Sequence, residues 1–404
     1  MHAPWPIFGA TSRDGRLDRS ADPRLRILLV CDSLDIGGAE RHVVSLATTL
    51  TRRGHDVTIA CSRAGLLAVD ARAAGVGILT LTERLAKRRV SLAYTRALVD
   101  LVRGVDFDLV HAHMHASAAA AAVACARSGV PLVITEHSEA MWRDARAWRT
   151  ARSAYRRAAH VIAVSDAIRR HLVKSDRVPR HRTTSIRNAI TRSDRPSLDA
   201  DPLRRRDFPG DPIIGVVARL VPEKGVAHFL GSAVAVLRDV PRARFVVIGD
   251  GPLRDELVRT AETLGIGTRV WFLGARVDGP QLISELDVLA VPSIGNEGTP
   301  LVTLEALAAG VPIVASAVGG IPEQLRGFDR AVIVRPGDHE ALARGIVAMT
   351  RARAATARGH EMSVLPGHEA MVRATEGIYF KAYASTGRSR GFYPAALAAR
   401  WLPF

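Results

Sequence analysis

The chain has 404 residues, 48% of them hydrophobic and 24% charged, with 33 Gly and 21 Pro. That is about two to three domains of ordinary globular composition, which excludes disordered, collagen-like and coiled-coil chains. The formal net charge of +16 comes from 56 basic residues, only four of them Lys, and it predicts attraction to phosphate. Charge alone does not separate a nucleotide from a lipid headgroup or a nucleic acid.

Residues 1–23 mix Pro, Gly and charge without an apolar segment, so they read as a flexible stretch rather than a signal peptide. From Leu25 the chain alternates short apolar runs with amphipathic stretches. Leu25–Cys31 reads as a buried strand, Gly38–Arg53 as a helix closed by Gly54, and Val57–Cys61 as the next strand. Strand, helix, strand is the βαβ pattern of a parallel sheet. Leu109–Ala112, Leu132–Thr135 and Val161–Val164 continue it. Between Ile190 and Pro212 the apolar period lapses into charge, Pro and Gly, the mark of a linker. A second series follows at Ile213–Ala218, Arg244–Ile248, Val270–Leu273, Val288–Val291, Pro312–Ala315 and Ala331–Val334. The expected architecture is α/β: two doubly wound, Rossmann-like domains facing across a cleft that holds the ligand. The domains span 24–192 and 213–372, with a linker over 193–212. Residues 373–404 are expected to form a helix returning towards the N-terminal domain and a basic, aromatic tail that either packs or binds a surface.

No run of about 18 apolar residues occurs, so no spanning helix is expected. Cys31, Cys61 and Cys125 are an odd set and read as free thiols of a cytoplasmic protein.

Three clusters carry chemistry. In Ala290–Ala315 a strand ends and a helix opens, with Thr299 as N-cap, Pro300 as first helical residue, and Glu297 and Glu305 eight positions apart. The N–H groups of Thr299, Leu301 and Val302 would offer an anion site at the positive helix end. Carboxylates beside it suit sugar hydroxyls, although a surface loop residue and a solvated helix residue fit Glu297 and Glu305 equally well. Arg219 and Lys224 leave a strand at its C-terminal end, where doubly wound sheets bind ligands. Asp35–Arg41 pairs Gly37 and Gly38 ahead of a helix without the Gly-x-Gly-x-x-Gly dinucleotide fingerprint. A turn that simply requires glycine fits that segment as well.

Taken together, Glu297 and Glu305 with Gly310-Val-Pro and Gly319-Gly-Ile-Pro-Glu323, Arg219 with Lys224, Gly249-Asp-Gly-Pro252, Gly37-Gly-Ala-Glu40 and Val164-Ser-Asp166 resemble the GT-B retaining glycosyltransferases of family 4. The resemblance runs from about Leu25 to Tyr383. It implies a nucleotide diphosphate sugar as donor, held by the C-terminal domain, and a hydroxyl acceptor held by the N-terminal domain. By that resemblance Arg219 and Lys224 bind the diphosphate, Glu297 the donor sugar and Glu305 the ribose. Gly38 lies against the phosphate with Gly298, Thr299, Pro300, Leu301 and Val302. His113 faces the cleft in the catalytic set, and Gly37, Glu40 and His137 stand on the acceptor side. The chain departs from the pattern at Asn188-Ala-Ile-Thr191, where relatives carry a glycine and an acid, and at Gly298-Thr-Pro300, which leaves the sugar open.

His111, His113 and His115 alternate, and on a strand they would share a face, as a zinc site needs. No fourth ligand is spaced nearby, so no metal, and no cofactor beyond the donor co-substrate, is expected. Asp106-Phe-Asp108 precedes a strand and reads as a polar turn rather than a metal-binding pair. Residues 142–157 combine six Arg with Trp142, Trp148 and Tyr155. That suits either an anionic membrane surface or a helix packing its aromatics inward. A lipid-linked acceptor and a peripheral place at the inner membrane face are the corresponding expectations. The competing functions are a sugar-nucleotide epimerase or phosphorylase of the same layout, and a basic nucleic-acid-binding protein. No nucleic acid is expected, because no reader motif is present and the arginines are spread along the chain.

Overall fold

The computed structural model describes residues 24–82, 90–139, 143–191, 203, 210–295, 297–355 and 367–387. The expected N-terminal flexible stretch, most of the linker, Trp142 and the aromatic tail lie outside the described residues. The first half is a seven-stranded sheet. Its strands are β1 (Arg26–Val30), β2 (Asp56–Cys61), β3 (Gly77–Thr80), β4 (Leu109–His113), β5 (Leu132–Glu136), β6 (His160–Ala163) and β7 (Thr183–Ser185). The connecting helices are α1 (Gly38–Arg52), α2 (Leu67–Ala73), α3 (Leu92–Gly104), α4 (His115–Ser128), α5 (Ala145–Arg157) and α6 (Asp166–Lys174). The second half has six strands: β8 (Ile213–Val217), β9 (Arg244–Ile248), β10 (Val270–Gly274), β11 (Val288–Val291), β12 (Ile313–Ser316) and β13 (Ala331–Val334). Its helices are α7 (Val226–Asp239), α8 (Arg254–Thr263), α9 (Gly279–Glu285), α10 (Leu301–Ala308), α11 (Ile321–Gln324) and α12 (His339–Ala355), and α13 (His368–Ala384) follows.

All strand pairs are parallel, in the orders β3-β2-β1-β4-β5-β6-β7 and β10-β9-β8-β11-β12-β13. Each sheet therefore reverses its winding once, between β1 and β4 and between β8 and β11. Just beyond the C-terminal ends of such neighbours the flanking connections diverge and leave a crevice. The two halves are the doubly wound pair that the alternating pattern predicts. Both faces of each sheet are covered. Leu28 and Val30 belong to one core while Ile27 and Leu29 belong to the other, which is why these strands read as unbroken apolar runs. Strands β3 and β7 were not expected. They are short and partly exposed and lack such runs.

Helix α13 packs on the first sheet rather than the second. Met371, Val372, Ile378 and Tyr379 enter its core, and each such side chain contributes roughly 1.5–3 kcal/mol of burial. Glu376 accepts from Arg53 Nε at 2.7 Å and bonds His55 Nε2 at 3.0 Å, so the packed face is also fixed in register.

Side chains and backbone of the two halves bond across their junction. Glu323, at α11, accepts from the backbone N–H groups of Asp166 and Ala167 at 2.8 and 3.2 Å. A carboxylate there complements the open N–H groups and positive dipole end of α6. Asn188 Nδ2 donates to the Thr299 carbonyl at 2.9 Å, and the Thr299 hydroxyl donates to the Val164 carbonyl.

Candidate active site

After β8 the chain passes Arg219 and makes a tight turn at Pro222–Lys224. After β11 it runs through Ser293 and Glu297 to α10. The two loops are tied together, because Ile294 N–H donates to the Glu223 carbonyl at 2.9 Å. Glu297 is 5% exposed, so it is not a surface loop residue. Its Oε1 accepts from Lys224 Nζ at 2.6 Å and from Ser293 Oγ at 2.5 Å. A charge-assisted pair of this length fixes the carboxylate's direction. Arg219 is half-exposed with Glu223 at 3.9 Å, so its guanidinium stays at the mouth of the loop.

The expected start of α10 needs correcting. Pro300 is the N-cap, with extended backbone (ψ 133°), and Leu301 is the first helical residue. Thr299 stands one residue before the cap, its hydroxyl donates to the Val164 carbonyl across the interface, and no side chain caps the helix. The N–H groups that open from the helix tip are thus those of Leu301 and Val302. Glu305 is not solvated either. It is 1% exposed because α10 is covered nearly all round, and Arg41 of α1 donates to it from the other half.

Facing these loops are the ends of β1, β4 and β5. Gly37 precedes α1, and a Cβ there would meet Glu40 Oε2 at 2.2 Å, whereas nothing lies within 4 Å of the equivalent point on Gly38. A side chain at Gly37 would have to displace the buried Glu40 carboxylate that folds back on it, while Gly38 leaves space for a ligand to approach the backbone.

The three alternating histidines do not share a face. His111 and His113 do, with rings 4.1 Å apart, but β4 ends at His113. Met114 then turns the chain at φ 68° and ψ 162°, a region almost reserved for glycine, and His115 opens α4 elsewhere. His111 is satisfied by Tyr379 Oη at 2.6 Å and Thr135 Oγ1 at 2.7 Å. His113 instead meets His137, Nδ1 to Nε2 at 3.0 Å, and both rings lie beside His42 of α1.

Burial, with neighbouring imidazoles, holds His42, His111 and His113 well below the ordinary range and pushes His137 down to about 3. Burial also lowers His115 and His160 to about 4. The corresponding unfolded groups titrate near 6.5. Below that pH the unfolded chain binds protons that the fold does not, so this stability is intact above about pH 6.5 and is lost as pH falls towards the folded values. Asp176, pushed up to about 7 by burial, acts in the opposite sense between pH 7 and its unfolded value, but it is one group against six. The urea midpoint is therefore expected to drop between pH 6.5 and 5. A midpoint that stays flat over that window would show that these imidazoles are not buried neutral.

Tyr155 of α5 and Arg143, just before that helix, turn inward onto Glu136 at the end of β5, with Arg143 Nη2 donating at 2.6 Å. The guanidinium holds that buried carboxyl below its usual range despite burial. Trp148 stacks with His171 at 5.7 Å and with Arg152. Of the two expectations for this segment, inward packing accounts for Tyr155, and Arg146, Arg149, Arg156 and Arg157 remain exposed. Asp108, of the polar turn, accepts from Arg26 N–H at 2.8 Å.

The loop before α10 and the loop after β5 touch directly. A Cβ on Gly298 would lie 2.2 Å from the His137 carbonyl. Five contributors were not found from sequence: Ser293, Arg41, His42, and the bonds made by Asn188 and Glu323. Only the position of Arg41 and His42 directly after Glu40 hinted at them.

Two family models together span most of the chain: Glycosyltransferase Family 4 matches residues 36–194 and Glycosyl transferases group 1 matches residues 203–357. Among curated relatives, a 2-deoxystreptamine glucosyltransferase of Streptomyces kanamyceticus is 35% identical over 34% of this chain and 36% of its own length. A GDP-mannose-dependent alpha-(1-6)-phosphatidylinositol monomannoside mannosyltransferase of Mycobacterium tuberculosis is 33% identical over 39% and 45%. A D-inositol 3-phosphate glycosyltransferase of Mycobacterium marinum is 30% identical over 72% and 65%. The chain thus spans about a third of the first of these relatives and under two thirds of the last. Among solved structures, Anabaena HepE in complex with UDP-glucose has a TM-score of 0.73 at 22% identity, covering 90% of this chain and all of its own. Sucrose-phosphate synthase from Thermosynechococcus elongatus has a TM-score of 0.74 at 20% identity, covering 89% of this chain and all of its own. At these identities the likeness establishes the fold.

Proposed function

Because the chain belongs to the family 4, group 1 glycosyltransferases, we propose that it moves a sugar from a nucleotide diphosphate sugar to a hydroxyl acceptor with retention of anomeric configuration. The observation that carries this reading is the junction at Glu297, where a buried carboxylate is aimed by Lys224 and Ser293 beside the open tip of α10. In this reading the diphosphate lies over the N–H groups of Leu301 and Val302, within reach of Lys224 and Arg219. Glu297 accepts a hydroxyl of the donor sugar, and Glu305, together with Arg41, holds the ribose. Preorganised charge of this kind meets the negative charge that grows on a departing diphosphate, usually the largest contribution to rate. Glu297 is already bonded to Lys224 and Ser293, which suits holding a hydroxyl better than attacking an anomeric carbon. The acceptor oxygen therefore bonds to the anomeric carbon on the face from which the diphosphate leaves, and the leaving phosphate oxygen takes the acceptor's proton. His137, neutral at pH 7 and partly exposed, offers a hydrogen bond rather than charge to the cleft, while His113, expected to face the cleft, is fully buried and positions the His137 ring.

We place the acceptor among envelope polysaccharides and lipid-linked glycans, at the cytoplasmic membrane surface. The named mannosyl relative acts on a phosphatidylinositol mannoside, and the exposed arginines of α5 suit an anionic surface. Among the described residues no helix is long and apolar enough to cross a membrane. Flotation with anionic liposomes at low salt should recover the protein, and absence from the lipid fraction would remove that location.

Melting the protein with a panel of UDP-, GDP- and ADP-sugars tests the central claim. One class should raise the melting temperature, and NMR of the product should show the donor's anomeric configuration kept. A panel without effect would sink the assignment, and a donor sugar altered without acceptor would point to an epimerase. Transfer is also expected to proceed in EDTA, since the proposed stabilising charges are side chains and a helix tip. Activity lost to EDTA and restored by manganese would contradict this.

A further inference from the structure

His42, His113 and His137 come from α1, the end of β4 and the loop after β5, so only the fold brings them together. One ring nitrogen from each lies within 4.8 Å of the other two. His42 and His113 are buried, and His137 reaches the surface in part. His113 Nε2 has no hydrogen-bond partner among the described residues, and the Asn188 side chain bonds His42. A cluster of neutral imidazoles can be held by mutual hydrogen bonds, and His113 with His137 makes one. It does not satisfy all three rings in this way, because His113 Nε2 lies buried and unsatisfied. Three neutral imidazoles from separate elements are instead the ligand set of an open zinc site, with the fourth position left to water. Ligands in such a site sit about 3.4 Å apart for Zn–N bonds near 2.05 Å. The rings need shift by little more than an ångström. His111 is no part of it, since both its nitrogens are bonded.

We propose that His42, His113 and His137 bind one borderline divalent metal of the Zn²⁺ type, with the open coordination position on the His137 side. The metal is not a cofactor of transfer. It engages His137, which the reading above sets in the cleft, so metal and sugar substrate compete. This second half rests on that reading, and the binding half does not.

Titrating the full-length chain with Co²⁺ reads the site directly. The expected result is visible absorption of tetrahedral cobalt, saturating at one ion per chain and displaced by Zn²⁺. The His42→Ala and His137→Ala variants should lose it, while His160→Ala, whose ring bonds Thr184 elsewhere, keeps it. No stoichiometric signal in the parent protein, or an unchanged signal in His42→Ala, overturns the site whatever the variants do to folding. In a transfer assay, Zn²⁺ at saturating Co²⁺-equivalent concentration should lower the rate at least tenfold, with EDTA restoring it. Cobalt binding with an unaffected rate keeps the site and refutes the competition, and transfer without cobalt binding keeps the glycosyltransferase reading and refutes the site.

Discussion

Replacing Lys224 by alanine is expected to lower turnover about a hundredfold or more, the scale of removing one preorganised donor from a developing anion. Lys224 has two roles that must be separated. Its ammonium neutralises the buried Glu297 at 2.6 Å, and in the proposed reaction it also faces the diphosphate. Without it Glu297 keeps Ser293 but loses its cation. Stranding a fully buried carboxylate costs about 3–5 kcal/mol, and less is expected here because the lysine side chain is 23% exposed. The single variant should therefore melt several degrees lower as well as react slowly. Lys224→Ala combined with Glu297→Gln removes the stranded charge, so the melting temperature should recover while turnover stays low. Arg219→Ala offers the complementary case. Arg219 is half-exposed with an acid only at 3.9 Å, so its loss should leave the melt unchanged and still cut turnover about a hundredfold. Turnover close to that of the parent protein in either single variant would refute the phosphate roles.

The second large effect is expected from one methyl group. Gly298 joins Glu297 to Thr299 where the halves meet, and a Cβ there would lie 2.2 Å from the His137 carbonyl and 2.6 Å from Val164 Cγ2. The carbonyl is backbone and cannot rotate away. Gly298→Ala must therefore part the donor-side loop from the ends of β5 and β6, stretching the bonds of Thr299 to Val164 and of Asn188 to Thr299. Neither core contains this residue, so each half should keep its melting temperature. The reacting groups, however, would be displaced by about 1 Å, which can cost a hundredfold in rate. Gly319→Ala is a useful contrast. Its Cβ would meet the Glu297 carbonyl at 1.8 Å within one half, at a left-handed φ of 54°, so stability should fall together with activity. A Gly298→Ala protein with unchanged kinetics would show that the interface does not position the site.

Much of this was legible locally. A buried parallel strand needs an unbroken apolar run and its crossover helix an amphipathic period. β1, β4, β5 and most strands of the second half announced themselves in that way, and from their order followed two sheets and the crevices at their C-terminal ends. Arg219, Lys224 and Glu297 stood out as candidates because they sit next to strand ends and a helix start, features a linear chain displays. Edge strands β3 and β7 lacked the signal because they are only four and three residues long and partly exposed.

What the sequence determined on its own was thus the layout and the chemical inventory, since both are set by residues within a turn or a strand of one another. Which partner each group meets was decided only by the tertiary structure. Arg41 reaches Glu305 across 264 residues, Tyr379 fixes His111 across 268, and His42 joins His113 and His137 from a different element. Pairings at such separation are chosen by how two packed layers come to rest, and the chain leaves no periodic trace of them.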